Sequence, residues 1–237
     1  MTPSMPLAAP AWTFVDSVVS QMLHISSIGF LPKADWAGRA ILQRWLGAGG
    51  DWNIYAVGGQ NRDWKDYMMG AETLQQQVYR ELVQEVWPHV NAKGIGTYFF
   101  ERNFAGDTGV SSSTVSGYGY LHGTDRTVGG FQMSGCYWVQ QAANGGYVVA
   151  ARLTFTWNDK INPNGKQDWG GVVIGNIESL GRATDYRIAI TWDSMTAIHF
   201  DAGGSAIDSR GWPGADDPIG RPDPGFPAYH FPPDWQR

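Results

Sequence analysis

Between Tyr147 and Trp157 every second residue is apolar or aromatic. Tyr147, Val149, Ala151, Leu153, Phe155 and Trp157 point one way, and Arg152, Thr154 and Thr156 point the other. A period of two is what an extended strand needs to bury one face and wet its opposite. The pattern recurs in "DYRIAITW", where Tyr186, Ile188, Ile190 and Trp192 oppose Arg187 and Thr191. "GTYFFERNF", "SGYGYLHGT", "TVGGFQMSGCYWV" and a short "AIHFD" read as further strands, separated by Gly-rich turns. Asn144-Gly145 is a strong hairpin signal, because both residues accept a left-handed backbone. Turns rather than crossover helices join these runs, so the expected pairing is antiparallel.

Before Gly94 the period is different. Leu74, Val78, Leu82 and Val86 fall every four residues, which predicts a helix from Ala71 to about Trp87 ended by Pro88. Ile41, Leu42, Trp45 and Leu46 form the apolar face of another, with Asp35 as N-cap and Gly47 as stop. The stretch "GDWNIYAVGGQNRDW" is too rich in Gly, Asn and Asp for a helix. Residues 12–31 place Val15, Val18, Val19, Met22 and Leu23 on one stripe but also carry Asp16, Gln21 and His24. Those polar groups favour an amphipathic or core helix over a transmembrane span. Seven of the 13 prolines lie within residues 206–237. That region is expected to be an extended tail anchored by Trp212, Phe226, Tyr229 and Trp235. The expected fold is therefore α+β: a helical portion over 1–93, an antiparallel β-sheet over 94–205 that curls or forms a half-barrel, and a Pro/Gly-rich tail over 206–237.

Composition narrows the function classes. A net charge of −5 argues against a nucleic-acid partner, which wants a basic field. The single cysteine, Cys136, excludes an intrachain disulfide and, inside a predicted strand, reads as a buried inert thiol. None of the five histidines pairs with another at zinc spacing, and no phosphate-binding loop is present. The N-terminus shows no basic leader followed by an apolar core of signal-peptide type. The chain has 12 Trp, 10 Tyr and 10 Phe, which suits an aromatic binding surface.

Candidate chemistry gathers after Trp157. Asp159, Asn162, Asn164 and Asp168 lie within ten residues, dense enough in oxygen to hold magnesium or calcium. Asn162-Pro163-Asn164-Gly165 is equally good turn chemistry. In "LHGTDRT", His122, Asp125 and Arg126 come together in a turn, either as a general acid/base pair or as a polar hairpin tip.

The run "GTDRTVGGFQMSG", "GYVVAARLTFTWNDKINPN" and "DYRIAITW" resembles the β-rich half of colicin M-like bacteriocins and related polymorphic-toxin domains, over about residues 118–200. In that family a helical portion precedes a β-rich catalytic portion, and a strand ends in an Asn-Asp-x-Tyr-Asp-like motif followed by a His-Arg pair. The resemblance implies magnesium-dependent cleavage of a lipid-linked peptidoglycan precursor. It also implies secretion or delivery to a target-cell envelope, and an immunity protein as partner. Asp159 matches the family's acidic position, as catalytic residue and metal ligand. Asn162 stands where the second Asp would be, Ile161 replaces the Tyr, and Asp168-Trp169 stands where His-Arg would follow. Asp168 and His122 are the further catalytic candidates. Two other readings stay open: a non-catalytic glycan-binding or structural module, with exposed aromatics stacking on sugar rings and Gly-rich hairpins supplying donors, and a membrane-active protein using the apolar N-terminal segment.

Overall fold

The alternation extends further along the chain than its apolar members alone predict. The computed structural model describes residues 36–47, 49–109, 118, 121, 130–161, 183–212 and 227. In chain order their elements are α1 (Trp36–Leu46), β1 (Trp52–Ala56), α2 (Arg62–Met69), α3 (Glu72–Lys93), β2 (Gly96–Ala105), β3 (Gly130–Gln141), β4 (Tyr147–Ile161), β5 (Tyr186–Phe200) and β6 (Ala206–Gly211). The fold is α+β, with a mostly antiparallel six-stranded sheet that is not closed into a barrel. Among the described residues no helix is long and apolar enough to cross a membrane.

The described residues fall into two compact units. One holds α1 with Gly49, Gly50, Tyr118, Leu121, Ile161 and residues 183–186. In it Ile41 and Trp45 are buried, as the expected apolar face requires, and the Gly47 N–H closes the helix on the Gln43 carbonyl at 2.9 Å. The Tyr186 hydroxyl donates to the Ile41 carbonyl at 3.0 Å, and Arg44 lies 5.8 Å from the Tyr186 ring centroid. Burial pushes the Tyr186 phenol well above its ordinary range, with Arg44 opposing.

The other unit is the sheet with α2 and α3. Strand order is β1-β5-β4-β3-β2, and β6 pairs antiparallel with β5 over Thr196–Phe200. Register follows the alternation: Tyr98 pairs with Tyr137 and Tyr137 with Ala151, so side chains of one parity share a face across three strands. The helix side of the sheet carries the core. Trp157, Phe155 and Trp192 are fully buried there, and Phe155 stacks on Trp192 at 5.5 Å. Leu74, Val78, Leu82, Val86 and Val90 form the buried stripe of α3. Trp87 stacks on Phe200 at 5.3 Å, and Arg102 of β2 pairs with Glu81 at 2.7 Å, which seats α3 on this face.

Several expectations need correction. Pro88 does not end α3; the helix continues five residues to Lys93 and stops at Gly94, whose φ is 76°. A mid-helix proline removes one backbone hydrogen bond, at a cost of about 3 kcal/mol. Val90 extends the buried stripe and His89 bonds to the Tyr137 hydroxyl, which offsets the loss. The Gly-rich stretch after α1, expected not to be helical, holds a strand and ends in the first residues of α2. Trp52, Ile54 and Ala56 alternate with Asn53 and Tyr55, and this short strand pairs parallel with β5, Ile54 opposite Ile190. Asn61 then turns the chain into α2 with a left-handed φ of 45°, its side-chain amide donating to the Tyr55 carbonyl at 2.8 Å. "DYRIAITW" and "AIHFD" are one continuous 15-residue strand. Residues 206–211 form β6 rather than the start of an extended tail. Trp212 does serve as an anchor: its ring meets Phe155 edge-on at 4.6 Å, and its indole N–H donates to the Met69 carbonyl at 2.8 Å. Cys136 is half-buried on the face away from α3, not buried in the core. The helix expected over 12–31, the "SGYGYLHGT" strand and turn, and the anchors Phe226, Tyr229 and Trp235 lie outside the described residues.

Candidate functional site

Alternation gives every strand a second set of side chains, on the face away from α3. From β2 come Thr97, Phe99, Glu101 and Asn103; from β3, Gln132, Ser134, Cys136 and Trp138; from β4, Arg152, Thr154, Thr156 and Asn158. Arg187 and Thr191 of β5 and Asn53 and Tyr55 of β1 continue it. One row crosses five strands. Asn103 is opposite Gln132, Gln132 opposite Thr156, the Thr156 and Thr191 hydroxyls are 3.2 Å apart, and Thr191 is opposite Tyr55. Every member is uncharged and able to hydrogen-bond. The neighbouring Glu101 accepts from the Gln132 amide at 2.6 Å. Two large side chains on this face are strongly exposed, Phe99 at 80% and Tyr55 at 62%. Beside the hydrogen-bonding row, these rings offer flat apolar surface to a partner.

Asp159 is placed by a strand that runs four residues beyond Trp157. The break expected after Trp157 therefore comes later, and Asn158 to Ile161 belong to β4. By parity Asp159 is on the helix side, where Oδ1 accepts the Lys160 N–H at 2.7 Å and Oδ2 is buried. The other expected site residues, His122, Asn162 and Asp168, lie outside the described residues. Asp159 is thus the one described member of the donor set that the resemblance implies, and a single carboxylate does not hold magnesium or calcium by itself. Among the described residues no cluster of three or more His, Cys, Asp or Glu side chains is arranged to hold a metal ion.

Two polar clusters went unanticipated. On the helix side, Glu81 and Glu85 flank Arg102, and Glu85 lies 3.9 Å from His89, which bonds to the Tyr137 hydroxyl. Burial first, then Glu85 and Tyr98, pushes the Tyr137 phenol up to about 12. A fully buried phenol held neutral is a structural hydrogen-bonding group, not a nucleophile. At the β3–β4 turn, Asn144 lies 3.2 Å from His199, which pairs across the sheet with Asp208. Burial lowers the His199 pKa, opposed by Asp208 and Asp201. Arg210 closes on Asp208 at 3.0 Å. The first ties α3 to β2 and β3, and the second ties the β3–β4 turn to β5 and β6.

The signal for the polar face was present in the sequence. Arg152, Thr154 and Thr156 already mark one wet side of β4. Tyr55 was hidden because five alternating residues among Gly, Asn and Asp show no period long enough to assign a strand. Phe99 was hidden because "YFF" gives no parity by itself.

No family model, no curated protein and no solved structure matches the chain.

Proposed function

We propose that this chain is a glycan-binding module whose ligand lies on the sheet face away from α3. The observation that carries the reading is the uncharged hydroxyl and amide row from Asn103 to Thr191 on the same face as the exposed rings of Tyr55 and Phe99. Sugars present hydroxyl edges and apolar ring faces, and a site for them combines hydrogen-bonding side chains with flat aromatics. The test is co-sedimentation with insoluble polysaccharide, using purified peptidoglycan and chitin. The parent and Asp159→Ala are expected to sediment, and a Tyr55→Ala/Phe99→Ala double variant is expected to stay in solution. A double variant that sediments like the parent ends the proposal.

A second reading keeps the envelope as the site of action and makes the protein a toxin-type hydrolase of a lipid-linked peptidoglycan precursor. It is favoured by the placement of Asp159 at the end of β4 with one carboxylate oxygen buried. This reading expects growth inhibition on periplasmic expression, relieved by Asp159→Asn in a chain that still melts like the parent. Unrelieved inhibition counts against it. A membrane-active role would rest on residues 12–31 and predicts dye release from liposomes.

A further inference from the structure

Resting on the glycan-binding reading, we infer that the ligand is a linear, uncharged glycan laid obliquely across the strands, held at its two ends by Tyr55 and Phe99. Tyr55 is on β1 and Phe99 on β2, the first and last strands of the five-strand order, and both project from the same face. Tyr55 shares a row with Asn103, and Phe99 is four residues earlier on β2. Four strand spacings of about 4.8 Å and four residues of about 3.3 Å place the two positions about 23 Å apart. At about 5 Å per pyranose, that span takes four or five sugar units of an extended chain laid over strands of this spacing.

The line between the rings runs past Thr191, Thr154 and Ser134, all hydroxyl-bearing and uncharged. The carboxylates that flank it are engaged: Glu101 accepts from the Gln132 amide, and Asp193 pairs with Lys65. Arg152 and Thr156 stand two residues to either side of Thr154 on β4, so Arg152 flanks the line as closely as Glu101 does. A neutral polymer fits that path, since the charges beside it are of both signs and none stands on the line itself. Each ring is held on a strand, so it needs little ordering on binding. The Asn61 amide on the Tyr55 carbonyl fixes the β1 end further.

Two platforms one ligand-length apart make binding length-dependent, because the second contact is intramolecular once the first has formed. The experiment is titration calorimetry of the full chain with soluble β-1,4-linked N-acetylglucosamine oligomers of two to six units. Affinity is expected to rise by about tenfold or more between the dimer and the tetramer or pentamer, then to level off. Tyr55→Ala and Phe99→Ala should each remove that rise while leaving the weak binding of the dimer through the remaining ring. Binding with no dependence on length, or a rise that survives Phe99→Ala, overturns the two-ended arrangement and leaves the glycan reading standing. If no oligomer binds and the insoluble polymers do not sediment the parent, the glycan reading and this inference fall together.

Discussion

Phe155 and Thr154 are neighbours in the chain and occupy opposite faces of one sheet. Phe155 is fully buried among Phe131, Trp192 and Trp212, whereas Thr154 is exposed opposite Ser134. The helix-side face is aromatic and closed; its counterpart is polar from Asn103 to Tyr55, with two exposed rings. Val148, Ala150 and Ala197 of that second face are buried, but the same alternation that specifies the fold leaves Thr154 and its neighbours there outside the core. Those residues can be chosen for contact with a partner at little cost in stability.

The largest effect expected from breaking this contrast is at Phe155. Phe155→Asp loses a ring that meets Phe131, Trp192 and Trp212, and it buries a carboxylate among them. Removing a buried Phe alone costs about 3–5 kcal/mol, and the charge adds to it, so the loss approaches the whole stability of a typical domain. Thr154→Asp, one residue away, should change the unfolding free energy in urea by no more than about 1 kcal/mol. Soluble yield and urea unfolding of the pair check this. Equal melting of the two variants would show that the faces are not distinct.

That pair also shows what was legible in advance. The facing of β4 and β5, the Asn144-Gly145 turn and the α3 stripe were readable because each repeats a period several times or carries a strong turn pair. What escaped reading was either short or hidden by a strong local rule. β1 offers five residues, too few for a period to stand out among the Gly, Asn and Asp around it. Pro88 reads as a stop because the cost of a mid-helix proline is visible in the sequence, while the Val90 and His89 contacts that offset it are tertiary. The break after Trp157 was placed early because Asn158, Asp159 and Lys160 are polar, and strand pairing is set by the backbone as much as by side chains. Of the four expected site residues, Asp159 is the one described. It stands near a strand end but on the helix side of the sheet, away from the row that carries the proposed function.

A smaller effect is expected where the two faces meet in the backbone. Gly135 has φ 153°, and a Cβ there would collide with the Arg152 carbonyl of the neighbouring strand. Gly135→Ala is expected to cost about 2–3 kcal/mol, measured by urea unfolding. A neutral outcome would mean that β3 and β4 can separate locally without disturbing either face.

Smaller again is the contribution of Tyr137. Its folded pKa of about 12 lies above the value of about 10 for the unfolded phenol. The neutral form is the one the fold favours, so this contribution is complete below pH 10 and is lost as pH rises from 10 through 12. Tyr137→Phe should cost about 1 kcal/mol at pH 7, chiefly the hydrogen bond to His89. It should also flatten the fall of the unfolding midpoint between pH 10 and 12. A variant whose midpoint falls as steeply as the parent's would assign that pH dependence to another phenol.

The smallest effect on stability is expected at Phe99. Its ring is 80% exposed, so Phe99→Ala removes little buried area, and the unfolding free energy should move by no more than about 0.5 kcal/mol. If the ring belonged to the core, the same change would cost several-fold more. The value of this variant is that stability and binding should come apart: unchanged melting together with lost retention on polysaccharide. Phe99→Tyr, which keeps a flat ring of similar size, should restore retention. A Phe99→Ala variant that loses stability and binding in proportion would make the exposed face a consequence of folding rather than a separate surface. The contrast between the two sides of the sheet would then reduce to burial alone.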